Sequence, residues 1–227
     1  MSNLAGLVND QGKIVIAALD HKESLKKILP ETELAGFKKR MTELLLPEVS
    51  AILLDPQYGQ EAAKLVKDKA LIYNLEESGK CKEKLSLMPN WGVKQAKAAG
   101  AVGVKLLWYY RVEEKEAVKQ IGEECRREEI IFLLEVFNCP ENELEEFGAD
   151  VLKLKFPGSN RLKTPWVLLS AGADFEEYKK QVEIACGNGC FGIAVGRALW
   201  QDQVNNPDEE IIKVRIRQLV EIVNQHE

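Results

Sequence analysis

The chain reads as an α/β protein, a single (β/α)8 barrel, and three observations lead there. Eight short apolar runs recur along its 227 residues, each bounded by turn signals. Charged stretches with apolar residues at three- and four-residue spacing lie between them, as in amphipathic helices. No linker, solenoid repeat or low-complexity tract divides the sequence, so residues 1–227 are expected to form one domain. Barrels of this kind take roughly 200 to 250 residues. A doubly wound open sheet is the structural alternative.

In chain order, the runs are KIVIAALD at 13–20, AILLD at 51–55, ALIYNLE at 70–76 and GVKLLWYY at 103–110, followed by IIFLLEVF at 130–137, DVLKLKF at 150–156, WVLLSA at 166–171 and GCFGIAV at 189–195. Near-continuous apolarity is what a parallel strand covered on both faces requires. Residues 113–128 and 174–186 carry the helical period, and a last helix is expected over 207–225, with Pro207 suited to its first turn. The aromatic stretch from Trp108 to Tyr110 suits either barrel packing or a subunit contact, so assembly into a homo-oligomer is left open.

Composition narrows the function. With 31 basic against 36 acidic residues the net charge is −5, and 45% hydrophobic with 30% charged residues describes an ordinary globule. An acidic balance gives no footprint for nucleic acid or an anionic membrane. No apolar run is long enough to span a bilayer, and the start lacks the pattern of a secretory signal, so a cytoplasmic location is expected. The five cysteines are odd in number and irregularly spaced, which points to free thiols; Cys186 and Cys190 read as packing rather than half a metal site. His21 and His226 are the only histidines, which excludes a three-histidine zinc centre. Hydrolytic or aldol chemistry would have to run on carboxylates, lysines or an all-oxygen metal site.

Charged residues inside apolar strands carry the functional signal, because burying a charge needs a reason. Strand alternation puts Lys105 on the face of Gly103 and Leu107, and Glu135 on the face of Leu133 and Phe137. In the sixth run Lys153 and Lys155 share one face while Leu152, Leu154 and Phe156 share the other; if the apolar face packs on helices, both lysines point into the barrel. Strands about 4.8 Å apart would let Lys105, Glu135 and Lys153 meet. A cluster serving only to close the barrel would add little stability, since desolvation offsets its attraction. Burial and a neighbouring like charge both disfavour an ammonium ion, and the neutral amine is the nucleophile that forms an iminium with a carbonyl, with a nearby carboxylate to shuttle protons.

Asp20 ends the first run at the barrel mouth, a candidate for binding hydroxyls and orienting the amine. Asp55 ends the second, where a turn role and ligand contact are equally in keeping with the sequence. The last two runs end in Ser170-Ala171-Gly172 and Gly196-Arg197, where barrels often hold a phosphate on loops seven and eight and a short helix start.

The series ALDHKESL, ILLDPQYG, NWGVKQAKAAGAVGVKLLWYY, IGEEC, FLLEVF, GADVLKLKFP, LLSAG and VGRALW, spread over most of the chain, resembles the class I tagatose 1,6-bisphosphate aldolase family, which includes the sulfofructose-phosphate aldolases. The resemblance implies a (β/α)8 barrel and Schiff-base cleavage of a phosphorylated ketose to dihydroxyacetone phosphate and an aldehyde, with no cofactor and no metal. It implies Lys153 as the iminium-forming lysine, Glu135 as the proton-transfer carboxylate, Lys105 as the second active-site lysine and Asp20 as the strand-one aspartate. Ser170, Gly172, Gly196 and Arg197 fall where the family binds the ketose 1-phosphate, so the expected partner is a small phosphorylated sugar. The chain departs from the family in having His21-Lys22 where Gln-Arg is usual, in Lys155, and in a short connection between Pro157 and Trp166. Alternatives within the same reading are a sulfofructose-phosphate or deoxyribose-phosphate type aldolase, and a phosphosugar-binding regulator without turnover.

Overall fold

The computed structural model describes residues 4–77, 79–156 and 162–226. Eight parallel strands pair in chain order and the eighth pairs back to the first, closing a barrel: β1 Ile14–Ala18, β2 Ala51–Leu54, β3 Ala70–Asn74, β4 Gly103–Tyr109, β5 Ile131–Phe137, β6 Val151–Leu154, β7 Trp166–Leu169 and β8 Gly192–Val195. Each lies inside its predicted run and each is shorter than it, because the flanking residues turn away to form the loops. The eighth begins at Gly192 rather than residue 189; a β-carbon on Gly192 would fall on the Ile14 carbonyl, so only glycine lets these strands close at this point.

Alternation along the strands builds two cores. Ile14, Ile16, Ala18, Leu53, Ile72, Leu133, Val151 and Val167 fill the barrel, with Leu7 packed among them. Their neighbours Val15, Ala17, Leu54, Tyr73, Trp108, Leu134, Leu152 and Trp166 face the helices. Trp108 is fully buried against Phe147, so this residue belongs to barrel packing rather than to a subunit contact.

The helical layer is uneven. Helices α1 Leu34–Leu45, α4 Lys115–Arg127, α5 Phe175–Cys186 and α7 Glu209–Asn224 are substantial, whereas α2 Gln60–Ala63, α3 Val93–Ala98 and α6 Arg197–Trp200 are each shorter than two turns. The expected regular alternation fails after β5, where a 3-10 helix, Glu141–Phe147, replaces an α-helix, and no helix lies among the described residues between β6 and β7. The final helix starts after Asp208, whose carboxylate accepts the Glu210 and Ile211 N–H groups; Pro207 precedes this cap instead of occupying the first turn. No described helix is long and apolar enough to cross a membrane.

Candidate active site

The barrel's C-terminal end opens into a cavity of about 660 Å³. Its floor is ionic. Register sets Lys105 beside Asn74 across β3–β4 and Glu135 beside Lys153 across β5–β6, so alternation aims all four side chains inward. Lys105 Nζ lies 2.6 Å from Glu76, 2.7 Å from Asp20 and 3.1 Å from Glu135. The same Glu135 oxygen, Oε2, accepts from Lys153 Nζ at 2.9 Å. The four predicted groups therefore meet in one network, all buried, with Glu135 shared between the two ammonium groups.

The charges hold one another. Burial works against the Lys105 ammonium, but Asp20, Glu76 and Glu135 outweigh it and raise its pKa well above the ordinary lysine range. Burial would likewise push Glu135 up, yet Lys153 and Lys105 bring it below the usual carboxylate range. Asp20 is lowered further by the same two lysines, against the effect of its burial. Lys105 is thus a fixed cation, not the depressed amine that proximity of two lysines suggests.

Glu76 is the member that sequence reading passed over. It follows β3, shares a face with Ile72 and Asn74, and is fixed by the Asn74 amide at 3.0 Å and the Leu107 N–H at 3.1 Å. The alternation that exposed Lys105 applies equally to it. Lys155, expected inside the barrel, lies beyond the end of β6, exposed at the cavity rim with Nζ 5.8 Å from the Phe137 ring centre. The strand ends at Leu154, so alternation no longer governs the lysine that follows.

Loops seven and eight form the opposite wall. Ser170 to Ala173 make a tight turn, closed by the Ala173 N–H to the Ser170 carbonyl at 2.9 Å, with φ of 49° at Ala171 and 89° at Gly172. Both values are left-handed; Gly172 accepts this freely, while Ala171 stores strain of about 1 kcal/mol. Ser170 and Gly196 are buried cavity-lining residues, and Arg197 extends its guanidinium beside Gly172, which faces a neighbouring groove rather than the cavity itself. Arg197 Nε is buried without a hydrogen-bond partner. A β-carbon on Gly196 would stand 2.5 Å from His21 Cε1, so glycine here lets the His21 ring slot beneath the loop. His21 also meets Trp200 edge-on at 5.6 Å. Burial, with Lys153, Arg197 and Lys38 assisting and Asp20 opposing, lowers its pKa from 6.5 to about 4, leaving a neutral imidazole at neutral pH. Asp55 sits outside the cavity; it accepts the Gln57 and Tyr58 N–H groups at 3.0 and 2.8 Å and pairs with Lys38, which settles its turn role.

A larger groove of about 1020 Å³ between α5, α6 and α7 shares Arg197 with this cavity among the described residues. Its described lining includes no lysine, cysteine or histidine, whereas the smaller cavity holds Lys105 and Lys153.

Known proteins resemble the chain in both sequence and fold. The tagatose 1,6-diphosphate aldolase 1 of Enterococcus faecalis is 29% identical, over 89% of this chain and 84% of its own. That alignment spans 273 positions against 227 residues here, so the relative carries additional segments. The predicted shortening after Pro157 falls largely on residues 157–161, outside the described residues. An archaeal fructose 1,6-bisphosphate aldolase superposes with a TM-score of 0.73 at 19% identity, over 98% of each chain. A structure of an archaeal fructose-1,6-bisphosphate aldolase with its catalytic lysine covalently bound to the carbinolamine intermediate of the substrate gives 0.72 at 18% over 97% and 98%. Residues 14–202 match the DeoC/LacD family aldolase, a span that begins with β1, takes in all eight strands and ends just past α6; the chain belongs to that family.

Proposed function

We propose that this protein is a Schiff-base aldolase that reversibly cleaves a phosphorylated ketose, a ketohexose 1-phosphate or 1,6-bisphosphate, to dihydroxyacetone phosphate and an aldehyde. The observation that carries the reading is the shared Glu135 carboxylate between Lys153 and Lys105 at the floor of a sugar-sized cavity. Lys153, having passed a proton to Glu135, attacks C2 of the open-chain ketose. Glu135 then returns the proton to the carbinolamine hydroxyl, which leaves as water and gives the iminium. Removal of the C4 hydroxyl proton by the Glu135 carboxylate breaks the C3–C4 bond, releasing the aldehyde and leaving an enamine; return of that proton to C3 and hydrolysis free dihydroxyacetone phosphate and Lys153.

Lys105 holds a fixed positive charge against the oxyanions of these steps, and Asp20 takes substrate hydroxyls while fixing Lys105. Ser170, Gly172, Gly196 and Arg197 form the cradle for the 1-phosphate, Gly172 by admitting the Arg197 guanidinium. Lys22, buried on the cavity wall, has the Met88 sulfur at 3.7 Å as its hydrogen-bond partner among the described residues, which supports an anionic distal group on the sugar. The acting unit is one barrel domain, since every group named lies on it. Four of the five free cysteines are buried, in keeping with a reducing cytoplasm.

Borohydride reduction in the presence of dihydroxyacetone phosphate is expected to attach the triose to Lys153, located by peptide mass spectrometry. An adduct retained in Lys153→Ala would refute the assignment. Assay of fructose, tagatose and sulfofructose phosphates and deoxyribose 5-phosphate separates the aldolase types. Ligand-induced thermal stabilisation without cleavage of any of these would instead mark a regulator.

A further inference from the structure

Behind the catalytic floor lies a second buried ion pair that the chemistry above does not use. Lys38 occupies the apolar stripe of α1, among Leu34, Phe37, Met41 and Leu45, and is fully buried. Its ammonium has three protons and three acceptors: the Leu19 carbonyl at 2.7 Å, the His21 carbonyl at 3.0 Å and the Asp55 carboxylate. Neither Lys38 nor Asp55 lines the cavity.

We propose that Lys38 is a positioning residue for the aldol reaction, gripping the carbonyls on either side of Asp20 and thereby setting where that carboxylate meets Lys105. The inference rests on the role given to Asp20 above. Stability alone is a poor reason for the pair, since apolar residues of similar volume commonly replace a buried ion pair without loss. Geometry supplies a better one. Strand β1 ends at Ala18, so the carbonyls of Leu19 and His21 lie beyond its ladder, and the ammonium holds both. Asp20 hangs between these two anchors with its carboxylate 2.7 Å from Lys105 Nζ. His21 continues from the second anchor to its own seat against Gly196 and Trp200, so slippage of this segment falls on the carboxylate and leaves the phosphate wall in place. Asp55 supplies the countercharge from the end of β2, held by the Gln57 and Tyr58 N–H groups.

The test separates stability from turnover. Lys38→Met alone strands a buried carboxylate and is expected to unfold readily. Lys38→Met with Asp55→Asn removes both charges and keeps an acceptor for the two N–H groups. This double variant is expected to recover most of the Tm while kcat on fructose or tagatose 1,6-bisphosphate stays roughly ten- to a hundredfold down, the scale of a small misplacement. KM should change by less than about threefold, and the borohydride adduct on Lys153 should still form. Asp55→Asn alone keeps the ammonium and both carbonyl bonds; it should lower Tm and leave kcat within about threefold. If kcat follows Tm across these variants, or is normal in the double variant, the positioning role is overturned and the aldolase reading stands. Wild-type protein that traps no adduct fails the aldolase reading, and this inference with it.

Discussion

His21 shows how one side chain ties acid sensitivity to the site. Its imidazole is held neutral by burial, with pKa about 4 in the folded protein against 6.5 when free. Between those values the unfolded chain binds a proton that the folded one does not, so stability rises with pH across this window and is lost as pH falls through it, by up to ~3 kcal/mol. Asp20 and Glu135 are held below the usual carboxylate range, so their contribution is present above that range and is lost progressively from about pH 5 downward. The upper part of that interval, above about pH 5, therefore belongs to His21, and Tm of His21→Gln is expected to vary with pH much less than the wild type's there. A wild-type Tm flat over that interval would contradict the placement. Alternation made Lys105, Glu135 and Lys153 visible before any coordinates, because a charge in an apolar run stands out. Lys38 was hidden for a different reason: it stands at helical spacing among Leu34, Met41 and Leu45, but a lysine on such a face ordinarily reaches back to water, and only the fold supplies acceptors for it inside.

The elements were legible where apolar runs were long and ambiguous where they were not. Residues 138–150 are acidic, contain Pro140, and place their buried apolar residues, Leu144 and Phe147, three apart; that spacing suits the tighter 3-10 turn observed. This segment is held by α4, where Gly122 lets the Phe147 carbonyl approach so closely that a β-carbon would collide with it. Gly122→Ala would gain helix propensity on an exposed helix; here it is expected to cost about 1–3 kcal/mol through overpacking, read as a lower Tm. A rise in Tm would show that the segment yields easily. Asp174 was readable as a helix start and caps its helix, whereas Asp208, overlooked beside Pro207, does the same for the last one, each carboxylate accepting an N–H of the first turn.

At the scale of the whole molecule, a chain of net charge −5 turns a cationic set, Lys22, Lys105, Lys153 and Arg197, into one concavity. Folding rather than composition makes that field, because these residues come from the ends of four different parts of the ring; average charge could exclude nucleic acid and still say nothing of a phosphate. Dihydroxyacetone phosphate at about 100 times its Kd should stabilise the fold by ~2.7 kcal/mol. In thermal melts Arg197→Ala should lose most of that gain while the ligand-free Tm stays close to wild type. An undiminished gain would place the phosphate elsewhere. The 3-10 segment after β5 has a further consequence. The staves bearing Glu135 and Lys153 are followed by that 3-10 segment and, among the described residues, by no α-helix before β7, and beside them lies a cleft of about 230 Å³ lined by Val136, Phe137 and Leu154. Deuterium should enter the backbone of β6 sooner than that of β1, so the part of the wall that carries the reactive amine is also the first to breathe.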